Sequence, residues 1–279
     1  MDHALVAKLG AITNLTHGFI YFSPVARAAY SELGLSEAQQ YFASRGAALG
    51  RVPASVIAAT FFNFNPAAVE AGIPSAWDVA APEDIQTARM KAAGDQLAAL
   101  GALDEATLTS AIDLAGAIAD AVGYEGKALA AANREVPEPD DPWQRLWQRL
   151  TVIREWRGDA HVAVLTAAPV TAVEALVLHA ATGQVSAEVL LATRRWEQRE
   201  WDAAIERLAD RGLVDANGAF TEEGDAYRAG IEDRTNMVCA PLVEAIGAAE
   251  TRHFIDLLKP VRTALMDSGA FAALGGART

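Results

Sequence analysis

Between Val170 and Leu213 the chain sets apolar residues at helical spacing in three short runs: VTAVEALVLHAATG, QVSAEVLLATRR and WEQREWDAAIERLADRGL. In the last, Ala203-Ala204-Ile205-Glu206-Arg207-Leu208 repeats at the period of a helix packed on two others. The rhythm then breaks. Leu213-Val214 leads into Asp215-Ala216-Asn217-Gly218, and Asn-Gly between two β-capable pieces is a strong hairpin signal. Thr221-Glu222-Glu223-Gly224 opens another helix, with Thr221 placed as its N-cap. Three helices, a two-stranded hairpin and a closing helix make a winged helix-turn-helix.

The rest of the chain reads as helix throughout. Amphipathic helices are predicted over residues 2–15, 25–33 and 54–62, with Ser23-Pro24 as N-cap and first-turn proline of the second. Ser36-Glu37 opens another, ending near Leu49-Gly50. Further helices are predicted over about 82–100, 103–122 and 126–133. Arg134-Glu135-Val136-Pro137-Glu138-Pro139-Asp140-Asp141-Pro142 reads as a linker, because three prolines among acids neither pack nor continue a helix. The expected division is a helical domain over 1–133, a linker over 134–142 and a winged-helix-containing helical domain over 143–279. Beyond the linker, Trp143, Leu146, Trp147 and Leu150 fall at i, i+3, i+4 and i+7, a long-helix pattern. Helices over 226–248 and 250–266 and a glycine-rich tail over 269–279 complete an all-α frame with one small β-hairpin wing. The apolar run from Ala160 to Thr182 is long enough to imitate a membrane span. It carries Pro169, Glu174, His161 and His179, and reads as two buried helices divided at Ala168-Pro169.

Charge changes what the winged helix is expected to do. Residues 184–235 hold seven arginines, no lysine and twelve acidic residues, a balance of −5. The third helix, Glu197 to Arg211, has five acids against three arginines, and the wing tip is Asp-Ala-Asn-Gly. Phosphate neutralisation by Lys and Arg supplies most non-specific DNA affinity, so DNA is disfavoured as a partner. The formal net charge of the 279 residues, −13, also disfavours an anionic membrane. The single cysteine, Cys239, excludes an internal disulfide and any cysteine-based metal cage. No basic stretch followed by a long apolar run opens the chain, so a cytoplasmic protein is expected.

Chemistry concentrates in two aromatic stretches and two histidines. His17 precedes Phe19, Tyr21 and Phe22; His161 follows Arg157-Gly158-Asp159. Each taken alone fits a core histidine donating to a carbonyl. Taken together they fit two groups facing one pocket between the domains, as axial ligands of haem or another metal group, or as acid–base groups. Phe61-Phe62-Asn63-Phe64-Asn65-Pro66 sets two amides among three phenylalanines, the makeup of a small-molecule site, although Asn65 also fits a cap at Pro66. Arg45 can clamp a carboxylate or pair on a helix surface. The expected ligand residues are therefore His17, Tyr21, Arg45, Phe62, Asn63, Asn65 and His161.

Leu15-Thr16-His17, Tyr21-Phe22-Ser23-Pro24, Thr60-Phe61-Phe62-Asn63-Phe64, Gly158-Asp159-Ala160-His161 and the run from Trp201 through Glu232, Thr235 and Asn236 together resemble a known family. It comprises actinobacterial winged-helix proteins of similar length, labelled SalK-like or helix-turn-helix, and the resemblance covers nearly the whole chain. Leu208-Ala209-Asp210-Arg211-Gly212-Leu213-Val214 and Phe220-Thr221-Glu222-Glu223-Gly224 also resemble MarR-type repressors, over about a quarter of the chain and without their basic wing. The resemblance implies architecture. The functional expectation is a binding protein for a flat apolar molecule, alone or as a homodimer. The alternatives are a MarR-like DNA-binding regulator and an enzyme with His17 or His161 as general base.

Overall fold

The computed structural model describes residues 2–271. Local sequence signals explain most helix starts. In α1 (His3–Gly18) the Asp2 carboxylate accepts from the Leu5 amide. Helix α2 (Pro24–Glu32) opens on Ser23 and Pro24, and α3 (Glu37–Gly46) on a capping box of Ser36 and Gln39. Then come α4 (Ala54–Phe61), α5 (Pro66–Gly72), the single turn α6 (Ala76–Val79), α7 (Pro82–Leu100), α8 (Glu105–Ala121) and α9 (Ala128–Arg134).

Helix α10 (Pro142–Ala167) is the axis of the fold. It has 26 residues, about 39 Å at 1.5 Å per residue. It packs on α1, α7, α8 and α9. Its buried residues enter three hydrophobic clusters in succession. Trp147 belongs to the cluster of α2–α7. Leu146, Leu150, Ile153, Trp156 and Ala160 belong to that of α1 and α8, with Cys239 and Phe254. Val164 and Leu165 belong to the third.

The third cluster holds the helix-turn-helix. The chain turns by 106° between α10 and α11 (Ala172–Ala181), as the Ala168-Pro169 break implies. Helices α12 (Ala187–Arg194) and α13 (Gln198–Asp210) follow, joined by Arg195-Trp196-Glu197. Arg195 adopts a left-handed conformation (φ 62°) to make the turn. Leu176, Val177, Leu190, Trp201, Ala204 and Leu208 close the trihelical core. Among the described residues no single helix is long and apolar enough to cross a membrane.

The expected β-hairpin wing is not formed. The described residues contain no strand, and the segment has one isolated antiparallel bridge, Val214 to Phe220. The turn itself is as expected: the Asp215 carboxylate accepts from the amides of Asn217 (2.8 Å) and Ala219 (3.0 Å). What fails is length. Two residues separate the turn from Gly212 and three separate it from α14 (Glu222–Val238), too few for a ladder. A second correction concerns the helix expected over 226–248. Helix α14 ends at Val238, and Pro241 begins a separate turn, α15 (Pro241–Glu244), before α16 (Gly247–Asp267), because proline cannot donate to the preceding turn. Of the glycine-rich tail expected over 269–279, residues 272–279 lie outside the described residues.

Gly224 locks the wing segment to α14. Its amide donates to the Thr221 hydroxyl (3.0 Å), and a Cβ there would collide with the carbonyl oxygen of Leu213. That oxygen is backbone and cannot swing aside. Gly224→Ala is therefore expected to cost about 1–3 kcal/mol, read as a lowered urea midpoint at unchanged slope; an unaltered midpoint would show that the segment yields freely.

Candidate functional site

A cleft of about 1310 Å³ lies between the N-terminal helices and the helix-turn-helix. Residues from the end of α1 (Leu15, Gly18), from α3 (Tyr41, Phe42) and from the 62–65 loop (Phe64, Asn65) form one wall. Val189, Leu190, Thr193 and Arg194 of α12 form the other, with His179 of α11 and Arg154 of α10 between them. Met266 and Phe271 close the side toward the C-terminal end of α16. The aromatic wall is ordered by its own contacts: Tyr41 and Phe64 lie 5.0 Å apart, Phe42 and Phe64 5.2 Å.

Two backbone-directed bonds fix the 62–65 loop to the helix-turn-helix. The Asn65 amide donates to the Arg194 carbonyl (3.0 Å), and the Trp196 indole donates to the Asn63 carbonyl (2.9 Å). Phe62 sits at φ 61°, rare for a bulky residue, and packs against the trihelical core. The turn between α12 and α13 is thus held by the same loop that lines the cleft.

Behind the cleft lies a buried charge cluster. Glu155 of α10 is 1% exposed. Its carboxylate accepts two hydrogen bonds from Arg45 (3.1 and 2.9 Å) and one from Arg154 (2.7 Å). Burial alone would raise its pKa, but Arg154 and Arg45 overcome this and hold it well below the usual carboxylate range. Arg45 also lies over the Phe61 ring at 4.1 Å. One turn along α10, Asp159 accepts from the amides of Leu129 and Ala130 at the start of α9 (2.9 and 3.0 Å). Burial pushes its pKa up to about 6.

The two histidines do not share a pocket, and neither lines the cleft. His17 is fully buried and stacks on Trp147 at 4.8 Å. Arg89 approaches its Nε2 at 3.5 Å. Burial, then the charges of Arg89 and Arg154, push its pKa well below the ordinary value. His161 places Nδ1 2.9 Å from the Thr235 hydroxyl. Because Thr235 donates to the Ile231 carbonyl (2.8 Å), its oxygen is left to accept, and Nδ1 carries the proton. His161 stands fourteen residues beyond Trp147 on α10, roughly 20 Å along the helix. A haem bridged by both rings has no place here, and iron at His17 would face a guanidinium. Among the described residues no three metal-binding side chains converge.

Of the other expected ligand residues, Tyr21 and Asn65 line the cleft. Arg45 stands behind it, bonded to Glu155; Phe62 and Asn63 serve the loop. Asn65 also caps α5, its side chain accepting from the Ala67 amide (3.0 Å). Arg154, Arg194 and Tyr41 were not anticipated. Arg154 and Arg194 sit in amphipathic helices where an arginine reads as surface, and only the packing of α12 across the cleft turns Arg194 inward.

The chain matches the model of the helix-turn-helix family over residues 6–272, and it belongs to that family. No curated protein matches it. No solved structure matches it either.

Two stability measurements follow from these geometries. Glu155→Ala leaves the buried Arg45 and the half-buried Arg154 without their carboxylate and is expected to cost about 3–5 kcal/mol; a loss below about 1 kcal/mol would mean that solvent reaches both. The second concerns His161, whose pKa burial lowers from 6.5 to about 4, with Glu232 opposing and Arg228, Arg157 and His179 reinforcing. The unfolded chain takes this proton first, so the stability from neutral His161 is complete above about pH 6.5 and lost as the pH falls toward 4. His17 has the same sign; Asp159 has the opposite one, because its raised pKa favours the folded state below about 6. His161→Asn should therefore flatten the fall in urea midpoint between pH 6.5 and 4.5 relative to the wild type, and equal slopes would remove the assignment.

Proposed function

We infer that the protein is a small-molecule-binding member of the helix-turn-helix family, with its ligand in the cleft between the N-terminal helices and α12. The observation that carries this reading is the cleft itself. Ligand sites are concave, mostly apolar, and carry a few placed polar groups. Here the wall is Leu15, Tyr41, Phe42, Phe64 and Leu190, and the polar groups are Tyr21, Arg154 and Arg194. Its volume exceeds the usual range of roughly 300–1,000 Å³, so it has room for a drug-sized molecule without rearrangement.

The reading is tested with a neutral, flat fluorophore, the methyl ester of pyrenebutyric acid, followed by anisotropy. Saturable binding by the wild type is expected, and its loss in Val189→Trp, which puts an indole into the cleft from α12. Binding of equal strength in both proteins would place the ligand elsewhere.

A DNA-reading alternative is favoured by the helix-turn-helix turn itself, and the MarR-type resemblance of residues 208–214 and 220–224 points the same way. The surface of α13 weighs against it. Asp202, Glu206 and Asp210 are exposed at successive i, i+4 positions, one stripe of a helix face. Its two exposed arginines are engaged, Arg199 with Glu197 (2.8 Å) and Arg207 with Glu174 (2.6 Å). At about 150 mM salt no nanomolar affinity for duplex DNA is expected, since the phosphate contribution has few free cations to draw on. A promoter fragment bound at nanomolar concentration under those conditions would reverse the ranking of the two readings.

A further inference from the structure

We propose that the occupant of the cleft is an amphipathic organic monoanion, with a carboxylate-type head between Arg194, Arg154, Tyr21 and Tyr41 and a flat apolar body along Phe64, Phe42 and Leu15. This rests on the reading of the cleft as a small-molecule site and adds the chemistry of what enters it.

The first support is a charge imbalance. Arg45, Arg89, Arg154 and Arg194 surround the inner end of the cleft or back it, and Glu155 is the one carboxylate bonded to any of them among the described residues. Four cations against one anion leave three positive charges. Asp159, the next carboxylate along α10, is engaged by the α9 amides. Buried charge without a counter-ion is costly.

The second support is which donors remain free. Arg45 is engaged by Glu155 through Nε and Nη2. Arg194 is half-buried, lies over Phe64 at 4.7 Å, and gives one N–H to Thr193 (3.1 Å). Its buried Nε has no partner among the described residues, and burial lowers its pKa, with Arg45 and Arg154 reinforcing the shift. An anion beside it would oppose both effects.

The tyrosines supply the remaining donors. Arg89, 0% exposed, donates to the Tyr21 hydroxyl oxygen (3.1 Å). That oxygen is an acceptor there, so its own proton is free for a group in the cleft. Burial raises the Tyr21 pKa and keeps the proton on. Tyr41 is placed the same way, its oxygen 3.5 Å from Arg45 Nη1. Two phenol O–H groups and two guanidinium groups lining one cleft suit the oxygens of a carboxylate.

The third support limits the charge. The exposed rim carries Glu37 and Glu197, which disfavour a second anionic group at the outer end. The aromatic and aliphatic wall between rim and arginines calls for an apolar body.

The test compares pyrenebutyric acid with its methyl ester, which share the flat body and differ in the head. Anisotropy titrations of the full chain should give the acid a Kd at least tenfold lower than the ester. Arg194→Met should raise the Kd of the acid about tenfold, the equivalent of about 1.4 kcal/mol, and leave the ester within twofold. Arg194→Lys should recover part of the loss. Tyr21→Phe, which deletes one hydroxyl, should weaken the acid about threefold and spare the ester, and it decides the matter if Arg194→Met does not fold. An ester that binds as tightly as the acid, or a variant that weakens both equally, overturns the anionic head while the binding reading stands. Failure of both probes to bind the wild type overturns the two together.

Discussion

Glu155 is the point on which the packing of this protein turns. A carboxylate 1% exposed to solvent is tolerable only because two guanidinium groups reach it with good geometry. One of them, Arg45, comes from α3, more than a hundred residues earlier. That bond fixes how α3 lies across α10. Four residues along, Asp159 does the same for α9 by accepting from its first free amides. Two acids on one face of one helix thus anchor two other helices, where apolar contact alone would leave their rotation about α10 less defined.

The same cluster accounts for the character of the cleft. Arg45 and Arg154 share one carboxylate, and among the described residues Arg89 and Arg194 have none. The excess positive charge is carried by side chains of α3, α7, α10 and α12 at or behind the cleft. Electrostatics inside a protein acts over longer distances than in water, so the whole inner end of the cleft is positive although the chain carries a net charge of −13.

The helix-turn-helix is tied to this site through its own turn. Arg194 contributes a side chain to the cleft and a carbonyl to Asn65; two residues on, Trp196 donates to Asn63. A molecule that displaces Phe64 or Arg194 therefore acts directly on the segment joining α12 to α13. The exposed face of α13 is acidic, with its arginines already paired. The trihelical unit serves here as one wall of a cleft.

Local signals decided the secondary structure in the sequence itself. Ser23-Pro24, the Ser36 capping box, Thr221 before Glu222 and the break at Ala168-Pro169 each have a physical effect within a turn or two of the chain, and each stands where expected. The Asn-Gly turn is legible in the sequence, whereas the shortness of its flanks, which leaves a single bridge in place of a hairpin, follows from where α13 ends and α14 begins. The helix expected over 226–248 likewise stops at Val238, ahead of Pro241. The site was only partly legible. Tyr21 and Asn65 belong to the cleft, and aromatic residues near polar ones announced them. His17 and His161 look alike in sequence, each in apolar surroundings, yet His17, on α1, stacks on Trp147, and His161 stands roughly 20 Å further along α10 from that tryptophan. Arg154 and Arg194 look like ordinary surface arginines. Which way a helix turns its charged face depends on what packs against it across the molecule, and only the tertiary structure supplies that.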